Sequence, residues 1–361
     1  MVYSIQLSKV FVTFKFFNVT ALDVHRNVIK IQKNLLEGKM KKSLIFLLVV
    51  LLPVIAFTGG QKEKTEVEFP TEKPIRLVVP FGAGGGSDIA SRVLASVAPE
   101  FVGQRVDVVC MPGAGGQEAL NFVMQQPADG YTLLMTDYGP LIMTALTEKV
   151  NYEFEDWIPV FQIAEAIPTF FVHSDSPIKS IEDWIKILKA EPESLSIAPG
   201  RHLSTPHLPL ILFEQMAGIK NKHVPTTGGS EARAFVLGKK VDLGASFPST
   251  LGPLIKSGDF RALGVCSEER VASLPDVPTM RECGYDVVLP AWMIIFAPKG
   301  VPEDRINYLG EKFTQALETD SGKALAKKTN VVLKPNTTEK LVPLYKQTIN
   351  NLTTILSSIE Q

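Results

Sequence analysis

Cysteine is scarce in this chain of 361 residues, with three at positions 110, 266 and 283. So few exclude a dense disulfide scaffold, and their spacing matches no zinc site. Cys266 and Cys283 are the only pair near one another in sequence, so one disulfide or three free thiols both stay open. The five histidines add no metal-ligand pattern. Basic charge is also thin over most of the chain. Net charge is −1, but residues 1–56 hold eight Lys/Arg against two Asp/Glu, which leaves 29 basic and 36 acidic residues in the remaining 305. That acidic balance excludes broad nucleic-acid binding, which needs a basic face to displace counterions. An anionic ligand must then be held by local donors and not by overall charge. The apolar run Leu44–Leu52 is far shorter than the roughly 20 residues of a membrane span.

What that run does fit is a secretory signal over 40–56. Met40-Lys-Lys precedes it, Pro53 breaks it, and Val54 and Ala56 stand at the small-residue positions before a cut. No Cys follows, so a lipid anchor has no attachment point. Residues 57–73, with the charged stretch Gln61–Glu68, read as a spacer. Residues 1–39 lie upstream of the signal and are expected to be a mis-assigned leader, with translation starting at Met40. A periplasmic location follows as the expectation. With 45% hydrophobic residues, the remainder is long enough for two ordinary cores.

From Pro74 short β-branched runs alternate with helical segments. Strands are expected at 75–79, 106–109 and 132–135, with helices at 87–98 and 117–126, a βαβαβ order that predicts a parallel sheet. Further strands are expected at 170–173, 195–198, 241–245, 262–265 and 291–297, and helices at 180–189, 205–217, 303–326 and 338–358. Two glycine loops follow neighbouring strands and open helices: Pro80-Phe-Gly-Ala-Gly-Gly85 and Pro112-Gly-Ala-Gly-Gly116. Glycine lets a ligand approach the backbone, and a helix's first turn leaves N–H donors unpaired. Side by side they would form two neutral, N–H-rich jaws suited to a carboxylate; tight strand–helix turns are the bland alternative.

Competing chemistries fail on detail. Neither loop holds the lysine of a phosphate-binding P-loop. A dinucleotide fingerprint begun at Gly82 meets Ser87 where the third glycine belongs, and one begun at Gly113 meets Glu118. Ser87, in Gly86-Ser-Asp88, lacks the Gly-x-Ser-x-Gly elbow of a hydrolase. No cofactor, metal or catalysis is expected.

The stretches Pro80–Asp88 with Arg92, Pro112–Gly116, Asp129-Gly-Tyr-Thr-Leu-Leu134, Ser204-Thr-Pro-His-Leu208, His223-Val-Pro225, Leu274–Thr279 and Phe296-Ala-Pro298 resemble, in order and over nearly the whole mature chain, the Bug receptors. These are the extracytoplasmic substrate-binding proteins of tripartite tricarboxylate transporters. The resemblance implies an α/β, two-lobed periplasmic-binding-protein fold (type II, Venus-flytrap) with a mainly parallel sheet in each lobe. Residues 70–170 plus 290–361 would form lobe 1 and 171–289 lobe 2, hinged at about 170–173 and 291–296. It implies a non-enzymatic, monomeric protein that captures a small organic di- or tricarboxylate and passes it to membrane permease subunits. A sensor adaptor that presents its closed form to a membrane signalling protein is the alternative.

Carried over residue by residue, the ligand positions are Phe81, Gly85, Ser87, Gly115, Gly116 and Thr136, with Ser204, Thr205, Gly228 and Asp242 from the second lobe. Two departures leave the ligand's identity open. Cys110-Met111-Pro112 replaces the family's Asn-Arg-Pro, and Val224-Pro-Thr-Thr-Gly228 replaces Val-Pro-Tyr-Lys-Gly. Outside the resemblance, Asp88 is expected to cap its helix and His207 to make a structural hydrogen bond. Trp157, Trp184 and Trp292 are expected in cores or lobe packing.

Overall fold

The computed structural model describes residues 69–359. The expected leader, the signal and most of the spacer lie outside the described residues. Two sheets organise the rest. The first contains β1 (Ile75–Val79), β2 (Val106–Cys110), β3 (Thr132–Thr136), β4 (Trp157–Ala166), β10 (Ala291–Pro298) and β11 (Val332–Thr337), in the order β11-β4-β10-β3-β1-β2. The second contains β5 (Thr169–His173), β6 (Ser196–Ala198), β7 (Lys222–His223), β8 (Leu243–Ser246) and β9 (Phe260–Val265), in the order β7-β6-β8-β5-β9.

Neither sheet is mainly parallel, which corrects the expectation. In the first, β1 runs parallel to β2 and β3, but β10 is antiparallel to β3 and β4, and β11 to β4. In the second, β6 is parallel to β7 and β8 while β5 is antiparallel to β8 and β9. The cause is the chain's route. β4 carries it out of the first sheet, β10 brings it back, and two strands crossing one boundary in opposite senses must pair antiparallel. Their ends meet there, with Ala291 opposite Ala166. The crossovers are therefore 167–168 and the segment before Ala291, a few residues earlier than expected. They are tied together where Cys266 N–H donates to the Pro168 carbonyl at 2.9 Å and Leu289 N–H to the Cys266 carbonyl at 3.2 Å.

Local sequence explains the elements that carry the site. In the helix Gly86–Val97, Ala90, Val93 and Leu94 are buried at helical spacing. The helix Ile181–Ala190 starts where Ser180 Oγ accepts the Asp183 N–H at 3.2 Å, and it buries Ile181, Trp184 and Leu188 on one face. β10, Ala-Trp-Met-Ile-Ile-Phe-Ala-Pro, is buried along its whole length, as a central strand covered on both faces must be. Each fully buried Ile or Phe of that strand contributes about 1.5–3 kcal/mol of transfer free energy.

The first sheet and its helices share one core; the second sheet has its own cores, around Phe170, Trp184 and Phe213 and around Phe171 and Phe260. All three tryptophans are buried. Trp184 Nε1 donates to Asn221 Oδ1 at 2.9 Å, and Trp292, beside the crossover, donates to Thr348 Oγ1 at 3.1 Å. The cysteines are free thiols.

Candidate functional site

Loops leaving the carboxyl ends of β1, β2 and β3 come together on one side of the first sheet, the side where open α/β sheets bind ligands. In the first loop, Gly84 has φ +72° and its N–H donates to Asp88 Oδ2 at 2.8 Å. Asp88 thus reaches back to the loop and makes no hydrogen bond to the first turn of its own helix, which begins at an uncapped Gly85. Its other oxygen accepts from Arg92 Nε at 2.8 Å and from the Cys110 thiol at 3.2 Å. Burial raises its pKa, but the Arg92, Gly84 and Cys110 donors prevail and hold it below the ordinary value. Cys110 closes β2, so Asp88 links the two glycine loops. Burial, and then the Asp88 carboxylate, push the Cys110 thiol up to about 11, so it serves as a hydrogen-bond donor and not as a nucleophile.

The second loop turns through left-handed backbone at Gly115 and Gly116, φ +64° and +98°. A Cβ at Gly116 would lie 2.7 Å from Pro140 Cβ and 3.1 Å from Pro80 Cβ, so glycine is required both for the turn and for the approach of its neighbours. The third loop, after β3, holds Asp137, which is 4% exposed and accepts the Gly139 N–H at 2.8 Å. Burial raises its pKa to about 6, against the opposing pull of the Gly139 N–H, Thr205 and Arg201.

The second lobe supplies the facing wall from loops after β6 and β7. Thr205 is 2% exposed and sits against Gly139, and its carbonyl accepts from Tyr138 OH at 3.4 Å. Its Oγ1 stands near Asp137 but makes no well-formed hydrogen bond. Ser204 Oγ donates to the Pro199 carbonyl at 3.4 Å. Behind this loop runs a relay. Leu203 N–H donates to His207 Nδ1 at 2.9 Å, His207 Nε2 meets His223 Nδ1 at 2.9 Å, and His223 Nε2 meets Glu214 Oε1 at 2.9 Å. Because Leu203 N–H must donate, the His207 proton sits on Nε2, and the relay fixes both rings. Burial, followed by the neighbouring His223 and His202, pulls the His207 pKa down to about 3.

Two arginines of the second lobe reach the glycine loops, which amends the picture of jaws with neutral donors only. Arg201 lies over Gly115, donates from Nη2 to Thr144 Oγ1 at 2.6 Å and pairs with Glu148 at 3.2 Å. Arg233, on the helix Gly229–Leu237, donates from Nη2 to the Gly84 carbonyl at 3.3 Å. Elsewhere, a groove of about 1100 Å³ lies beside the two crossovers, lined by Glu165, Arg270, Trp292, Lys327 and Asn330 among others. It touches none of the glycine loops.

Residues 90–360 match the profile of the tripartite tricarboxylate transporter family receptor, TctC. The chain belongs to that family. Among relatives of this receptor, a protein from the gbd 5′ region of Cupriavidus necator is 33% identical over 252 residues, covering 70% of this chain and 76% of the relative. BugT of Bordetella pertussis is 30% identical over 276 residues, covering 75% and 85%. Two solved structures share the fold. The periplasmic binding protein BugD has 27% identity and a TM-score of 0.75 over 80% of this chain and 98% of its own. An R. palustris protein solved with adipate has 26% identity and a TM-score of 0.77 over 81% and 99%. The family and these neighbours bind substrates and are not enzymes.

In this receptor most of the anticipated positions converge. Gly85, Gly115 and Gly116 lie on the first two loops, Ser87 is buried in the first turn of the helix Gly86–Val97, and half-buried Phe81 packs against the first core. Thr136 is fully buried at the end of β3 and donates to the Asp137 carbonyl at 3.2 Å. Ser204, Thr205 and Gly228 stand on the facing wall. Gly228 precedes the Arg233 helix and has open space where a Cβ would be. Asp242 does not join them. It precedes β8 and accepts the Ser196 N–H and hydroxyl, both at 2.7 Å, at the opposite ends of β6 and β8 from the site. Arg201, Arg233 and Asp137 were missed. Arg233, on a helix opened by Thr-Thr-Gly-Gly, carried no local signal, because the Gly84 carbonyl it meets lies 149 residues away in the chain.

Proposed function

We propose that this receptor is a periplasmic solute-binding protein that captures a small organic di- or tricarboxylate between its lobes and delivers it to the permease subunits of a tripartite transporter. The observation that carries the reading is the meeting of three loops, from the ends of adjacent strands β2, β1 and β3, with a facing wall that holds the buried, unpartnered Thr205 Oγ1. Backbone N–H groups of the glycine loops grip one carboxylate, and Ser204, Thr205 and the Gly228 segment hold the ligand's other end. The two crossovers at the ends of β4 and β10 act as the hinge on which the lobes close. The R. palustris neighbour solved with adipate supports a carboxylate ligand.

Thermal unfolding of the purified protein with succinate, glutarate, adipate and malate tests the reading. A ligand that binds only the native state raises the melting temperature by mass action, by about 2.7 kcal/mol of stability at a hundred times Kd. At least one acid should raise it in a saturable way. No shift with any di- or tricarboxylate, together with a shift by a neutral sugar or a cation, would overturn the proposal.

A further inference from the structure

Among the described residues, Arg233 is the one group at the glycine loops whose bonding is incomplete and whose charge is unopposed. Its Nη2 donates to the Gly84 carbonyl and to Ser230 Oγ, both at 3.3 Å. Its Nη1 is shut away from water and has no acceptor. Burial alone pulls the guanidinium below its ordinary pKa, and an arginine remains charged under such a shift. Arg201 has Glu148 as its counter-ion. Arg233 has no carboxylate partner among the described residues. The nearest acid in sequence, Glu231, is spent on the Thr227 N–H and hydroxyl at 2.7 and 2.9 Å.

A buried nitrogen of a charged group without an acceptor is costly, and a position that keeps one calls for an acceptor that arrives from outside. The surroundings suit an anion. Gly229 lies under Nη1, with 3.7 Å between that nitrogen and the place a Cβ would take. Ser246 Oγ is 3.0 Å from the same place. Thr205 Oγ1, a second buried polar atom without a partner, lies on the same wall.

We propose that Arg233 is the fixed cation of the ligand site. Nη1 is closed off as long as Nη2 holds the Gly84 carbonyl at 3.3 Å; a carboxylate of the bound acid takes the guanidinium by displacing that long contact, so the acid itself becomes the bridge from the second lobe to the first glycine loop. The proposal rests on the reading above and sharpens it. The ligand must present a full negative charge at this point, and a neutral amide or hydroxyl there is discriminated against. A charge-assisted hydrogen bond to a carboxylate is about twice as strong as a neutral one, which gives the receptor selectivity that backbone N–H groups alone do not provide.

The test is calorimetric titration of wild type and Arg233→Gln with succinate, glutarate, adipate and malate at low and at physiological salt. Circular dichroism and the unliganded melting temperature check the fold of the variant. Wild type should bind at least one acid, and added salt should weaken that binding. Arg233→Gln should bind the same acid about ten to a hundred times more weakly, with a smaller salt dependence. Equal affinity in the two proteins overturns the proposal and leaves the solute-binding reading standing. A loss of affinity with the wild-type salt dependence retained also overturns it, because the substitution would then have distorted the Gly84 loop without removing a charge contact. If wild type binds none of the acids, the reading of the site falls and the proposal with it.

Discussion

Replacing Asp137 with asparagine should make this receptor more stable, although the residue is buried beside the glycine loops. The side chain accepts the Gly139 N–H at 2.8 Å, a bond that an amide oxygen can also accept. What asparagine removes is the charge. Burial shifts the carboxyl from 3.8 to about 6, so the folded protein holds this proton more tightly than the unfolded chain does. The favourable contribution is complete below about pH 4 and declines as pH rises to about 6, after which the buried carboxylate is ionised in both states. At about 1.4 kcal/mol per pH unit, the shift corresponds to about 3 kcal/mol of lost stability at pH 7.5. The amide can also donate towards Thr205 Oγ1, which has no well-formed hydrogen bond. Asp137→Asn should therefore gain about 2–3 kcal/mol at pH 7.5, an increase of about 3–5 °C in melting temperature for a chain of this size, and little at pH 4. Urea unfolding followed by circular dichroism at pH 4, 5, 6 and 7.5 measures the difference. A variant that is less stable than wild type at pH 7.5, or a difference that does not change with pH, would refute the reasoning.

Gly116→Ala should unfold the loop, because its Cβ would stand 2.7 Å from Pro140 Cβ at a φ of +98°; a loss of about 2–4 kcal/mol in urea unfolding is expected. Gly85→Ala, with a φ of −77° and a single 3.2 Å approach to the Gly82 carbonyl, should keep nearly the wild-type melting temperature while weakening acid binding in calorimetry. The His207 relay predicts acid sensitivity. With its pKa pulled from 6.5 to about 3, this histidine contributes stability that is complete above about pH 6.5 and is lost as pH falls towards 3, on the order of 5 kcal/mol in all. His207→Gln should flatten that fall in pH-dependent melting experiments, and a wild-type slope in the variant would show that another group titrates.

The first βαβαβ unit was legible because its strands are short apolar runs punctuated by glycine loops and by the Asp129-Gly130 turn. β4 was not, since Pro159, Gln162 and Glu165 interrupt its apolar pattern, and it is a strand because β10 and β11 flank it on both sides. β11 carries Lys334-Pro335 and lies at a sheet edge, where a proline is tolerated. The single helix expected over 303–326 is two. Thr319 is extended, with φ −62° and ψ 156°, and its hydroxyl caps a new helix by accepting the Gly322 N–H at 3.0 Å. In the candidate site, the glycine loops could be read from local sequence, since each turn is set by its own glycines. Arg233 could not, because it meets Gly84 across 149 residues of chain and a boundary between lobes. Asp242 failed for another reason. Proximity to a strand end does not say which end, and the direction of β8 puts this residue at the amino side, away from the ligand loops.

A crystal structure of the receptor with the acid that raises its melting temperature most tests the central claim directly. One carboxylate should lie within hydrogen-bonding distance of the backbone N–H groups at Gly85 and Gly116, with the lobes closed over it and the Thr205 loop against the ligand. An ordered acid held only in the groove beside the two crossovers, with the glycine loops unliganded, would contradict the account.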